Sequence, residues 1–212
     1  MGVFRSAWQL VRDHSRAYLA LNVMYYGLVG LAMMYVALIN PSLQQQLLGD
    51  VEQALTEGPL ATVGGAYLGG NVVVAAILTF LVNLFAGSVL YVTLPSLIVP
   101  FAGILLGAYR AVLWGLLLAP TTRELALVMI PHSVTLLLEG QAYILAIFAA
   151  HVHGLAFLRP RSMGLSSYRE GYVAGLKMAA RVYVVVVIIL AAAAVYEALE
   201  IVAMVRLGSG LG

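Results

Sequence analysis

PHSVTLLLEGQAYILAIFAAHVHG, residues 131–154, is the stretch on which the reading of this chain turns. It is long and apolar enough to cross a bilayer, yet it carries His132, Thr135, Glu139, His151 and His153. Ionisable groups in a membrane span are expensive, so they mark a packed interior or a solute path. At 3.6 residues per turn, His132, Thr135, Glu139 and Tyr143 fall within one narrow arc. That face has to be turned away from lipid.

The totals agree with a membrane setting. Of 212 residues, 63% are hydrophobic and 9% charged, and the mean hydropathy is +0.99. A soluble domain has roughly a quarter of its residues charged. The net charge of +2 gives no reason to expect nucleic acid as a partner. With no cysteine in the chain, disulfides, thiolate nucleophiles and Cys-ligated metals are excluded. The N-terminus does not read as a cleavable signal, because its basic residues are dispersed and the apolar run behind them is too long.

Outward from the central stretch, the hydropathy pattern predicts an all-α, polytopic membrane bundle. It has about five transmembrane helices, at residues 17–39, 71–94, 99–119, 128–157 and 182–204, plus amphipathic interfacial helices. Residues 1–16 form a basic segment with Phe4, Trp8 and Val11 on one side. It is either an amphipathic helix on the membrane or an ordinary topogenic flank. Asn40-Pro41 ends the first span. Residues 40–70 then form an extracytoplasmic segment with acids but no Lys or Arg, read as a surface helix followed by a glycine-rich hinge. In the second span Asn83 shares a side with Thr79 and Ala86. Residues 121–130 either begin the fourth span or form a half-helix broken at Pro131. Residues 158–181 are a basic cytoplasmic loop, ending in an interfacial helix over 169–181. Arg5, Arg12, Arg16, Arg159, Arg161, Arg169, Lys177 and Arg181 lie on one set of flanks, against Arg123 and Arg206 on the other. Eight against two places the N-terminus in the cytoplasm and the C-terminus outside a prokaryotic plasma membrane.

The third span holds Gly103, Gly107, Arg110 and Trp114 on one stripe, with Gly103 and Gly107 at the GxxxG spacing that lets helices approach. Arg110 lies near mid-depth, where its burial costs roughly 2.5–3.5 kcal/mol. The sharp expectation pairs Arg110 with Glu139 as a substrate or proton site. The plain one is an ion pair that locks helix register. The levels match if the fourth span starts near Leu125, and differ by roughly 7 Å if it starts near Pro131. His132 either titrates as a gate or caps backbone groups freed by Pro131. His151 and His153 sit on nearly opposite helix faces, cannot share a metal and read as interfacial. Glu197 and Glu200 are expected at a solvated helix end. No metalloprotease, nucleophile-elbow, Walker, dinucleotide or kinase motif occurs, so no enzyme, cofactor or metal is expected.

Asn71 opening a glycine-bearing span, AGILLG at 102–107, and PHSVTLLLEGQAYILA at 131–146 with Gly154-Leu155 beyond it resemble the stage II sporulation protein M family. The resemblance covers roughly residues 65 to 205. That family consists of small integral-membrane proteins with about five spans. Ala102 and Ser133 replace the family's usual Asn and Gly, and Glu139 falls later than its usual acid. Asn71, Gly107, Pro131 and His132 match. The sporulation member acts in a membrane complex with peptidoglycan-degrading partners, so the resemblance implies a role in an envelope complex.

Two functions follow as expectations. The first is an integral membrane scaffold or assembly subunit, a homo-oligomer or a partner of other membrane-protein subunits in the lipid bilayer. Its packing stripe would be Ala146, Ala150 and Gly154. The second is a small transporter or channel using Arg110, Glu139 and His132. For the orientation, a reporter enzyme fused after residue 212 is expected to be active only outside the cytoplasm; cytoplasmic activity would invert the topology.

Overall fold

The structure is a computed structural model that describes residues 2–209. Among them no strand occurs. The chain runs through α1 (Val3–Asp13), α2 (Ser15–Leu38), α3 (Pro41–Thr56), α4 (Ala61–Leu68) and α5 (Val72–Leu81). The last continues through a π-helical segment (Val82–Thr93) into α6 (Leu94–Ile98). After a turn come α7 (Ala102–Leu117), α8 (Arg123–Leu158), a 3-10 turn (Pro160–Met163) and α9 (Tyr168–Ser209).

Four helices are long and apolar enough to cross a membrane: Ser15–Leu38, Val72–Ile98, Arg123–Leu158 and Tyr168–Arg206. The apolar α7 has 16 residues and rises only about 24 Å. The starts follow local chemistry. Asn40, Asn71 and Thr122 each accept a bond from a first-turn amide, of Leu43, Val74 and Leu125 respectively, which satisfies an orphan donor.

The helix α8 is the axis of the molecule. Its inner stretch from Ala142 to Ala150 is buried on every side, the condition of a helix with no outer face. It makes its most extensive contact with α9, as an antiparallel hairpin. A side chain at Gly171 would collide with the Ala156 carbonyl, and one at Gly175 would stand 2.9 Å from His153 Cα. Glycine therefore sets how closely this hairpin closes. The π-helical segment beside α8 is stabilised at its start by the Ser88 hydroxyl, which donates to the Asn83 carbonyl at 3.0 Å.

Several local expectations are corrected. Pro131 lies inside an unbroken α8, so residues 123–130 are its first turns and not a separate half-helix. The ring removes one amide, and the Tyr196 hydroxyl donates to the Pro131 carbonyl at 3.0 Å. Residues 169–181 are the first turns of α9 and not a separate helix. Within 40–70 the surface helix is α3, but the expected glycine-rich hinge is the helix α4, and α3 is anchored to the bundle. Gln44, 1% exposed, donates to the carbonyls of Leu117 (2.8 Å) and Ala119 (2.7 Å) and accepts from the Thr121 hydroxyl. This clamps α3 over the end of α7, where helical carbonyls lack partners.

The small-residue stripes are used within the chain. Gly107 faces Ile147, Gly154 faces the Phe101 ring, and Ala146 and Ala150 are buried. Gly103 donates its amide to the Ser96 hydroxyl at 2.6 Å, closing the α6–α7 turn. Between α2 and α7, an added methyl at Gly115 would meet the Val29 carbonyl and, at 2.6 Å, Ala32 Cβ, whereas Gly27 of α2 has nothing within 4 Å. Gly115→Ala is therefore expected to destabilise the protein by about 1–3 kcal/mol and Gly27→Ala to leave it unchanged, read as thermal midpoints in the same detergent.

Candidate functional site

Two polar systems flank α8, and they differ in how completely they are paired. On the α2 side, Gln141 accepts from the Tyr18 hydroxyl at 2.7 Å and donates to Asn22 Oδ1 (2.8 Å) and the Tyr26 hydroxyl (3.2 Å). Tyr26 in turn donates to the Leu137 carbonyl at 3.1 Å. Every member has a partner, as expected of polar groups used to specify packing.

The other side carries the face foreseen from the 3.6-residue period. His132 Nδ1 lies 3.1 Å from Glu200 Oε1, and the Thr135 hydroxyl donates to Glu200 Oε2 at 3.0 Å. His132 thus binds a carboxylate of α9 and does not cap the backbone around Pro131. One turn deeper, Glu139 is 4% exposed and accepts from Asn83 Nδ2 at 2.5 Å. Glu197 of α9 lies on the same side, lining one cavity with Glu139, and its Oε2 is buried without a partner.

Arg110 makes no direct ion pair with Glu139, the closest N···O approach exceeding 4.0 Å. The two residues nonetheless line one cavity. The guanidinium carbon lies 3.8 Å from the centre of the Tyr143 ring and 5.2 Å from that of Trp114. The two rings meet edge to face at 5.5 Å. Stacking on aromatic faces stabilises a desolvated guanidinium by up to about 2 kcal/mol or more. Gly87 makes the space, since a Cβ there would stand 3.2 Å from both Arg110 Nη1 and Tyr143. Arg110 Nε and the hydroxyls of Tyr25 and Tyr143 are buried without hydrogen-bond partners.

Arg110 and Trp114, with Asn83, Glu139 and Glu197, line a cavity of about 760 Å³. Leu48, Val51 and Leu55 of α3 with Val63 and Tyr67 of α4 roof it, and Asn83, Arg110, Glu139 and Glu197 lie at its floor. A second cavity, about 390 Å³, lies between the π-helical segment and α7, and shares Asn83, Arg110 and Trp114 with the first. Arg110 therefore stands in the wall between two spaces.

The structure brings Asn83, Arg110, Glu139 and Tyr143 together, with His132 and Thr135 one to two turns outward. It leaves Asn71 at its cap, away from this cluster. Glu197 and Glu200, expected at a solvated end, instead complete the site, since Glu200 is buried and Glu197 reaches the cavity floor. Their three-residue spacing on an apolar helix was the available signal. His153, expected at the interface, is 1% exposed inside a box of Phe157 and Tyr172. Among the described residues no three His, Asp or Glu side chains converge to hold a metal ion. No family model, curated protein or solved structure matches the chain.

The His132–Glu200 contact ties α8 to α9 where both are largely shielded. A double-mutant cycle of His132→Ala and Glu200→Gln, followed by chemical unfolding in micelles, is expected to give a coupling of roughly 0.5–3 kcal/mol; additive effects would mean the contact contributes nothing.

Proposed function

We propose that this chain is a multi-pass membrane protein that admits a small solute from the extracytoplasmic side to a buried polar site, as a small transporter or channel. The carrying observation is the cavity whose floor holds Arg110, Asn83, Glu139 and Glu197 with several polar atoms left unpartnered. Its volume lies within the range of about 300–1,000 Å³ usual for ligand sites. A seam that served only to hold helices together would be filled and fully paired, like the Gln141 cluster on the opposite side of α8.

In the proposed arrangement α7 is the fifth span, its 16 residues shortened because α3 covers its outer end. An odd number of crossings, with the Lys/Arg distribution, supports a cytoplasmic N-terminus and an extracytoplasmic C-terminus in a prokaryotic plasma membrane. The helix α1 lies at the inner interface. It buries Ala7 and exposes Phe4 and Trp8 at a depth where aromatic side chains suit headgroups. The roof formed by α3 and α4 then stands on the outer side, at the mouth of the cavity.

The envelope-complex role is the second reading, supported by the resemblance to the stage II sporulation protein M family at Asn71, Gly107, Pro131 and His132. It needs a docking surface other than Gly107, Ala146, Ala150 and Gly154, which are occupied within the chain. Isolation of a stable hetero-complex would support it.

The main reading is tested with the purified protein in vesicles adsorbed to a solid-supported membrane. Gradients of protons, sodium, potassium and small zwitterionic amino acids are applied in turn. At least one is expected to drive a current that Arg110→Ala, still folded by its elution and helical signal, abolishes. Vesicles that stay electrically silent to all of them, wild type and variant alike, would refute it.

A further inference from the structure

The hairpin of α8 and α9 sets a register that brings two acids face to face. His132 and Thr135 meet Glu200. Following the antiparallel pair inward, the next acid on α8, Glu139, meets the next acid on α9, Glu197. Both carboxyls line the same cavity. The Asn83 amide donates to Glu139 Oε1, whereas Glu197 Oε2 is buried with no hydrogen-bond partner, so a proton shared between the two acids would give that oxygen one. Two carboxylates in contact away from water repel strongly, and a single proton between them removes that repulsion.

We propose that Glu139 and Glu197 form a proton-binding site that holds one exchangeable proton at the inner end of the cavity.

The charge count around the pair agrees. Arg110 from α7 is the cation that acts on Glu139; with one proton on the acids its charge is balanced by one carboxylate. Glu200 from α9 is engaged with His132 and Thr135 of α8 and does not compete for Arg110. Tyr67 from α4 shares a hydrogen bond with Thr79 at 2.7 Å, and Tyr25 from α2 and Tyr143 from α8 are buried. Glu52 from α3 lines the outer part of the cavity and is exposed. Tyr143 is fully buried, and neither its hydroxyl nor Glu197 Oε2 has a hydrogen-bond partner. The site therefore has a spare donor and a spare acceptor beside the shared proton. Uptake forms one O–H bond from a proton of cavity water and changes the pair from two negative charges to one. Release reverses it and leaves Arg110 facing two carboxylates.

This deepens the solute-path reading and rests on it only for the use made of the proton. The test reads the proton itself. Dicyclohexylcarbodiimide adds to protonated carboxyls in apolar surroundings and leaves carboxylates untouched, giving a stable N-acylurea that peptide mass mapping locates. In the wild-type protein in lipid vesicles, one adduct per chain is expected, on Glu139 or Glu197, and labelling is expected to fall as the medium is made alkaline. In Glu197→Gln the acid opposite Glu139 is gone, while Arg110 and Asn83, which both favour the carboxylate, remain, so its labelling is expected to drop about tenfold or more. Glu52→Gln should label as wild type does. No adduct on either acid in the wild type would overturn the proposal, and so would undiminished labelling of Glu139 in a folded Glu197→Gln. Should that variant fail to fold, the wild-type adduct and its pH series decide alone. Labelled but electrically silent vesicles would retain the proton site and discard the solute path; current without labelling would do the reverse.

Discussion

A guanidinium and several carboxyls buried in a chain this apolar are tolerable only because α8 is enclosed. The inner half of that helix has no lipid-facing side, so the face carrying Glu139 and Tyr143 is met by α9, the π-helical segment and α7. Each neighbour brings a polar group to it, Glu197, Asn83 and Arg110 respectively. Were α8 a peripheral helix, the same residues would face hydrocarbon at several kcal/mol each. The enclosure depends on close approach, and glycine supplies it at Gly107, Gly171 and Gly175.

Arg110 illustrates how competing interactions decide a site. In apolar surroundings an arginine is drawn toward any carboxylate, yet here it lies on the Tyr143 face, the nearer of its two aromatic partners. The aromatic faces hold the guanidinium without consuming its N–H donors, whereas a bidentate carboxylate would consume two. Gly87 and the wide π turn give it room on the other side. The result is a cation that is fixed in position but still has an unpartnered donor.

Much of the fold was legible in the sequence because it rests on local rules. Apolar runs mark the helices, Asn40, Asn71 and Thr122 mark their starts, and the 3.6-residue period puts His132, Thr135 and Glu139 on one face. What escaped depends on how helices meet. Glu197 and Glu200 lie near the end of the chain and read as solvated, until the glycine-closed hairpin sets the register that carries them opposite Glu139 and His132. Pro131 read as a possible break, because a missing amide says nothing of the Tyr196 hydroxyl that serves the carbonyl beside it. Residues 40–70 read as free, because the buried bonds of Gln44 run to the backbone of α7 and the turn after it, and backbone carbonyls leave no mark in a sequence.

The contrast between the two sides of α8 bears on why the site persists. A polar network inside a protein stabilises it when every member is paired and is a liability when some are not. The Gln141 cluster meets that condition. The Glu139 side does not, since Arg110 Nε, Glu197 Oε2 and the Tyr143 hydroxyl all lack partners, and the space beside them is open to a cavity rather than closed by a side chain. Replacing these groups with leucine-sized residues would fill the floor and remove three unsatisfied atoms at once. A local departure from good packing is retained where it does something that good packing cannot. In the function proposed above, that is to present a donor, an acceptor and a proton to a solute in the cavity.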